Sequence, residues 1–105
     1  MKLLTKAILN DFAKTGSQAD VEDPKVIVKF FGGGQATWLA TEYDPKTEIF
    51  YGYVSLFNDP NLNEWGSFSL DELKSIKFPP FNLGVERDMY SSGTISEYKE
   101  NYKIY

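Results

Sequence analysis

Apolar residues in this chain first recur at helical spacing, then alternate, then return to helical spacing near the C-terminus. Leu4, Ala7, Ile8 and Phe12 share one helical face. Thr5 stands where a capping side chain belongs, and Gly16 follows as a stop. The acidic stretch Ser17 to Asp23 reads as a loop before Pro24. Lys25 to Phe31 is rich in β-branched and aromatic residues and predicts a strand. Val26, Val28 and Phe30 lie on one face, while Ile27 and Phe31 share a half-exposed face with two lysines. The turn Gly32 to Gln35 leads into a second strand, Ala36 to Tyr43.

Asp44-Pro45-Lys46-Thr47 has the residues of a type I turn. The third strand, Glu48 to Phe57, is apolar on both faces and predicts a central position covered from both sides. Asn58 to Asn63 is a loop, and Glu64 to Phe68 a short fourth strand. Ser69 and Glu72 fit a capping box ahead of a helix reaching about Lys77, with Leu70, Leu73 and Ile76 buried. Pro79-Pro80 forbids its continuation. Phe81 to Gly84 is irregular, and Val85 to Tyr90 is a short extended or turn segment. Ile95, Tyr98, Tyr102 and Tyr105 then align on a tail helix. The resulting expectation is one α+β domain over residues 1–105. It consists of an antiparallel meander of about four strands, an N-terminal helix, a helix after the fourth strand and a C-terminal helix.

Composition narrows the chemistry open to such a fold. The chain has no histidine and no cysteine, so a catalytic imidazole, a thiolate nucleophile and a disulfide framework are all excluded. Its 105 residues are enough for a core without such staples. A formal charge of −4 disfavours electrostatic binding to nucleic acid or anionic membranes. The longest apolar run, Ile49 to Val54, is far too short for a membrane span, and the N-terminus does not read as a signal peptide. A cytoplasmic protein without cofactors is the expectation.

The pieces MKLLTK, VKFF, a Trp-bearing strand ending in TEYD, FYGYV, GSFSLDEL and GVERDMY occur here in one order. That order resembles the domain-of-unknown-function family 2958, small bacterial, plasmid and phage proteins, from Met1 to about Tyr90. The resemblance implies a stand-alone domain of mobile genetic elements. It carries no catalytic residues to this chain.

Several local patterns fail as sites. GGGQ at Gly32 to Gln35 is followed by a strand, whereas a phosphate-binding loop needs a helix there. Asp59, Asn61 and Asn63 mimic the start of a calcium loop, but Glu64 and Leu70 occupy its diagnostic glycine and glutamate positions. Glu42, Asp44 and Glu48 gather at a hairpin tip, which reads as a solvated turn and not a cleft.

Two features remain. In an extended Glu86-Arg87-Asp88 segment the two carboxylates share a face, suited to a cation or to acid/base work. The competing reading has Arg87 pin the segment to the body through a carboxylate such as Glu42 or Glu72. The second feature is the aromatic set Trp38, Tyr43, Tyr51, Tyr53, Trp65 and Phe68, read either as core under a helix or as a recognition surface. Trp38 is expected near Tyr51 or Tyr53 on the adjacent strand. The favoured reading is a binding module for another protein, or for a second copy of itself, using Trp38, Tyr51, Tyr53, Trp65, Glu86, Arg87 and Asp88. The alternative is a small carboxylate-dependent hydrolase or metal-binding enzyme using Glu86 and Asp88.

Overall fold

Thr5 opens helix α1 (Lys6–Thr15) by accepting the Ile8 N–H on its hydroxyl at 3.2 Å. Gly16, at φ 65°, ends it and returns its N–H to the Phe12 carbonyl at 2.9 Å. The computed structural model, which describes residues 2–56, 59, 61–89 and 91–104, continues into a meander. Its strands are β1 (Val28–Gly32), β2 (Ala36–Asp44), β3 (Ile49–Ser55) and β4 (Glu64–Ser69). Helix α2 (Leu70–Ser75) follows, capped by Ser69, whose hydroxyl accepts the Glu72 N–H at 3.0 Å. It stops two residues short of the expected Lys77 because β5 (Lys77–Phe78) pairs with β6 (Leu83–Gly84). β7 (Glu86–Arg87) and helix α3 (Ile95–Asn101) complete the order.

All main-sheet pairings are antiparallel, in the order β4-β3-β2-β1-β7. The expected α+β architecture is therefore present, with the VERDMY segment adding a fifth strand beside β1. Phe57, Asn58, Tyr90 and Tyr105, which enter the sequence expectations, lie outside the described residues.

Each sheet face has its own cover. On one side α1 and α2 bury Phe12, Leu70 and Leu73 against Phe30, Trp38 and Phe50. Phe50 is the hub, with ring centroids of Tyr43, Phe30, Phe68 and Phe12 at 4.6, 5.2, 5.3 and 6.0 Å. Burying one such phenylalanine stabilises the fold by about 1.5–3 kcal/mol. On the other side Ile95, Tyr98 and Ile104 cover Val26, Leu39 and Tyr53. The tyrosine stripe of the tail thus docks on its own sheet through Tyr98, while Tyr102 stays half exposed.

A bulge at Thr41 sets the side-chain parity of β2. Ala40 pairs with Gly52 and Glu42 with Tyr51, so Thr41 is extra, and its hydroxyl donates to the Tyr51 carbonyl at 3.2 Å. The shift turns Tyr43 onto the Phe50 side and Glu42 onto the opposite one. Nearby, a Cβ at Gly52 would lie 1.9 Å from the Leu39 carbonyl oxygen, so only glycine fits there.

Candidate functional site

The aromatic set divides by strand parity. Trp38 pairs with Val54 and Phe30, which places it on the helix-covered Phe50 face, 6% exposed. The expected neighbourhood of Trp38 with Tyr51 or Tyr53 does not occur, because residues paired across strands share a face and Tyr53 pairs with Leu39. Tyr53 lies on the opposite face but is buried under α3, with Lys99 Nζ 4.6 Å from its ring centroid. Tyr51 and Trp65 alone of the set are exposed, at 41% and 42%.

Tyr51 and Trp65 stack with centroids 6.0 Å apart and planes 18° from parallel. Tyr53 meets the same indole edge-on at 5.5 Å. The indole thus has two ring neighbours and stays 42% exposed. Tyr51 and Trp65 form one wall of a groove of about 680 Å³, whose other wall is the loop between α1 and β1. Val21 and Pro24 give that wall an apolar lining, and Glu22 and Glu42 bring carboxylates to it. A depression of about 460 Å³ at the C-terminal end of α1 adjoins it, sharing Glu42 and Tyr51.

Gln18 makes the loop a wall. The sequence reads as a polar connection here, yet Gln18 is 6% exposed. Its amide nitrogen donates to the carbonyls of Lys25 and Thr41 at 2.8 Å each, and its amide oxygen accepts the Lys25 N–H at 2.7 Å. The loop is thus tied to the bulge of β2. Asp23 ties it again by accepting the Ser96 N–H at 3.0 Å and the Ser96 hydroxyl. These bonds, the hydroxyl first, hold the Asp23 carboxyl below the usual aspartate range. A bridge between Lys25 and Thr94 adds a third tie, with Val26 donating to Gly93 and Ile95 to Pro24 at 2.9 Å each. Nothing in the spacing of SQADVED distinguishes Gln18, because its partners are backbone atoms 7 and 23 residues away.

The Glu86 to Asp88 segment lies elsewhere, at the β7 edge. Arg87 pairs with Phe30 and Glu86 with Phe31, while Asp88 donates its N–H to the Lys29 carbonyl at 3.1 Å. Arg87 pins the segment to the body through the Lys2 carbonyl, accepting from Nε at 3.1 Å. Asp88 forms an ion pair with Lys29 at 3.7 Å. Glu86 lines a separate groove of about 370 Å³ with Lys74 and Lys77, and Asp88 does not line it. Lys29 is also buried, contrary to the half-exposed face expected for it, because the end of α3 crosses above.

Among the described residues no three Asp or Glu side chains gather in a way that would hold a metal ion. No described helix is long and apolar enough to cross a membrane.

An antiparallel sheet with helices on both faces defines a small α+β domain, with Tyr51 and Trp65 exposed together at one corner. The chain belongs to the family described as protein of unknown function (DUF2958), whose model matches residues 3–103. No curated protein and no solved structure matches it.

Proposed function

We propose that this chain acts by binding another protein through the corner formed by Tyr51 and Trp65. The observation that carries this reading is the stacked, exposed Tyr51–Trp65 pair beside the groove. Two large rings left in water beside a groove are costly to a monomer and are what a partner covers. The groove walls are fixed by hydrogen bonds, so binding would lose little conformational entropy there. The mobile-element setting implied by the resemblance makes proteins of such an element, or of its host, the place to seek the partner. The hydrolase reading draws no support from Asp88, whose carboxylate faces Lys29.

The test is affinity capture from the native host with the wild-type chain, Trp65→Ala, and Asp71→Asn on the far side. A protein retained by the wild type and by Asp71→Asn but lost with Trp65→Ala supports the reading. A protein held equally by all three refutes this surface.

A further inference from the structure

We infer that the groove takes a basic segment of the partner, with an arginine side chain laid on Trp65 and Tyr51 and its guanidinium turned to Glu42. This inference rests on the proposed protein-binding function and adds the chemistry of the bound segment.

Two observations carry it. The first is charge. Glu22 and Glu42 line the groove and no lysine or arginine does. The same loop adds exposed Asp20, so three carboxylates of the groove and its loop stand against two neighbouring cations and leave a net negative field; the cations are Lys25, just beyond Pro24, and Lys99, whose Nζ lies 4.6 Å from the Tyr53 ring that meets the Trp65 indole. A cation is the ligand such a field concentrates. The second is the pair of rings. Tyr51 and Trp65 are held nearly parallel, and these exposed rings line the same groove as those carboxylates. A planar guanidinium stacks on such a face while its fork donates two hydrogen bonds to a carboxylate, which an ammonium cannot reproduce.

A second copy of this chain fits less well. Pairing β4 with another β4 would bring Glu64 and the acidic groove of one molecule near those of the other, in a chain of formal charge −4.

The probes are three synthetic peptides with blocked ends, Val-Arg-Val-Arg-Val and its lysine and glutamate counterparts. They are titrated into the full chain while the Trp65 indole N–H and the Glu42 and Tyr51 backbone signals are followed by NMR. The arginine peptide should shift those signals and leave the indole of buried Trp38 unmoved. Lysine replacement should weaken binding by roughly tenfold, because stacking and the bidentate fork are both lost. The glutamate peptide should not bind. Glu42→Gln, which keeps the aromatic pair, should weaken the arginine peptide by roughly tenfold and flatten its salt dependence. Trp65→Ala should abolish binding, with its melting curve confirming the fold.

Equal binding of the arginine and glutamate peptides, or an arginine peptide that shifts signals away from the groove, overturns the inference. So does a wild-type chain that dimerises in sedimentation with the Trp65 signal displaced. If a captured host protein depends on Trp65 but contacts it through an acidic or apolar segment, the binding function stands and the arginine inference fails.

Discussion

The ammonium of Lys29 lies 3.5 Å from the centroid of the Tyr102 ring, which closes over it from the end of α3. Asp88 supplies the counter-charge at 3.7 Å, and the Phe31 ring lies at 5.2 Å. A lysine this deeply covered is tolerated because its charge keeps one carboxylate and one ring face in place of water. A double-mutant cycle of Lys29→Met and Tyr102→Leu in urea denaturation should return a coupling of about 0.5–2 kcal/mol. A coupling near zero would mean that the ring and the ammonium are neighbours without interaction energy.

Gln18 should be among the costliest polar positions to change. Gln18→Leu keeps the volume but strips a partner from the Lys25 N–H and from the Thr41 carbonyl. The expected loss is about 2–4 kcal/mol in chemical denaturation, since buried groups left without partners cost about 1–3 kcal/mol each. Amide exchange in residues 17–24 should accelerate in the same variant. Were the loss below half a kilocalorie per mole, the loop wall would have to be held by the Asp23 and Lys25 ties alone.

Two glycines face each other across β3 and β4, and they should respond oppositely to alanine. Gly52 has the Leu39 carbonyl oxygen where a Cβ would stand, at 1.9 Å. Gly52→Ala should therefore cost about 3 kcal/mol or more, by forcing β2 and β3 apart beside the bulge. Gly66 has nothing within 4 Å. Gly66→Ala should change stability by less than about 1 kcal/mol, on the favourable side through the unfolded chain. Thermal midpoints of the two variants make the comparison directly.

Stability should fall at both ends of the pH scale through identifiable groups. The Asp23 carboxyl is held low by Ser96 in the folded chain, so its contribution is present above the ordinary aspartate value of about 4. That contribution is lost as pH falls through the folded value, and Asp23→Asn should flatten this acid limb. Tyr43 is pushed up, first by burial and then by the charges of Glu48 and Asp44. A raised tyrosine stabilises fully below the ordinary value of about 10 and stops doing so as pH rises through the folded value. Tyr43→Phe should flatten the alkaline limb, read from denaturation midpoints across pH.

The caps, the meander and its breaks are legible because each rests on residues close in sequence. Thr5, Gly16 and Ser69 act within four residues of themselves. Asp44 likewise accepts the Lys46 N–H at 2.9 Å, although the turn closes one residue later, on Glu48 at φ 57°. What escapes the sequence depends on pairing at a distance. The two residues of β7 show no alternation long enough to reveal their place beside β1. Trp38 is misplaced by reading aromatic content without register, since its pairing with Val54 decides its face. The exposure of Tyr51 and Trp65 agrees with one of the two readings of the aromatic set, but the loop completing their groove was not legible, because Gln18 works through backbone atoms.

Arg87 reaches back to Lys2 across 85 residues, and Ser96 to Asp23 across 73. During synthesis the meander can pair as its strands emerge, whereas α3 is made after it. Between the appearance of Tyr53 and that of Ile104, a ribosome adding 5–20 residues per second takes about 3–10 s. For that interval Val26, Leu39 and Tyr53 form a sheet face with no lid. The pace of translation, more than the speed of pairing, sets how long the newborn protein offers that face to its neighbours.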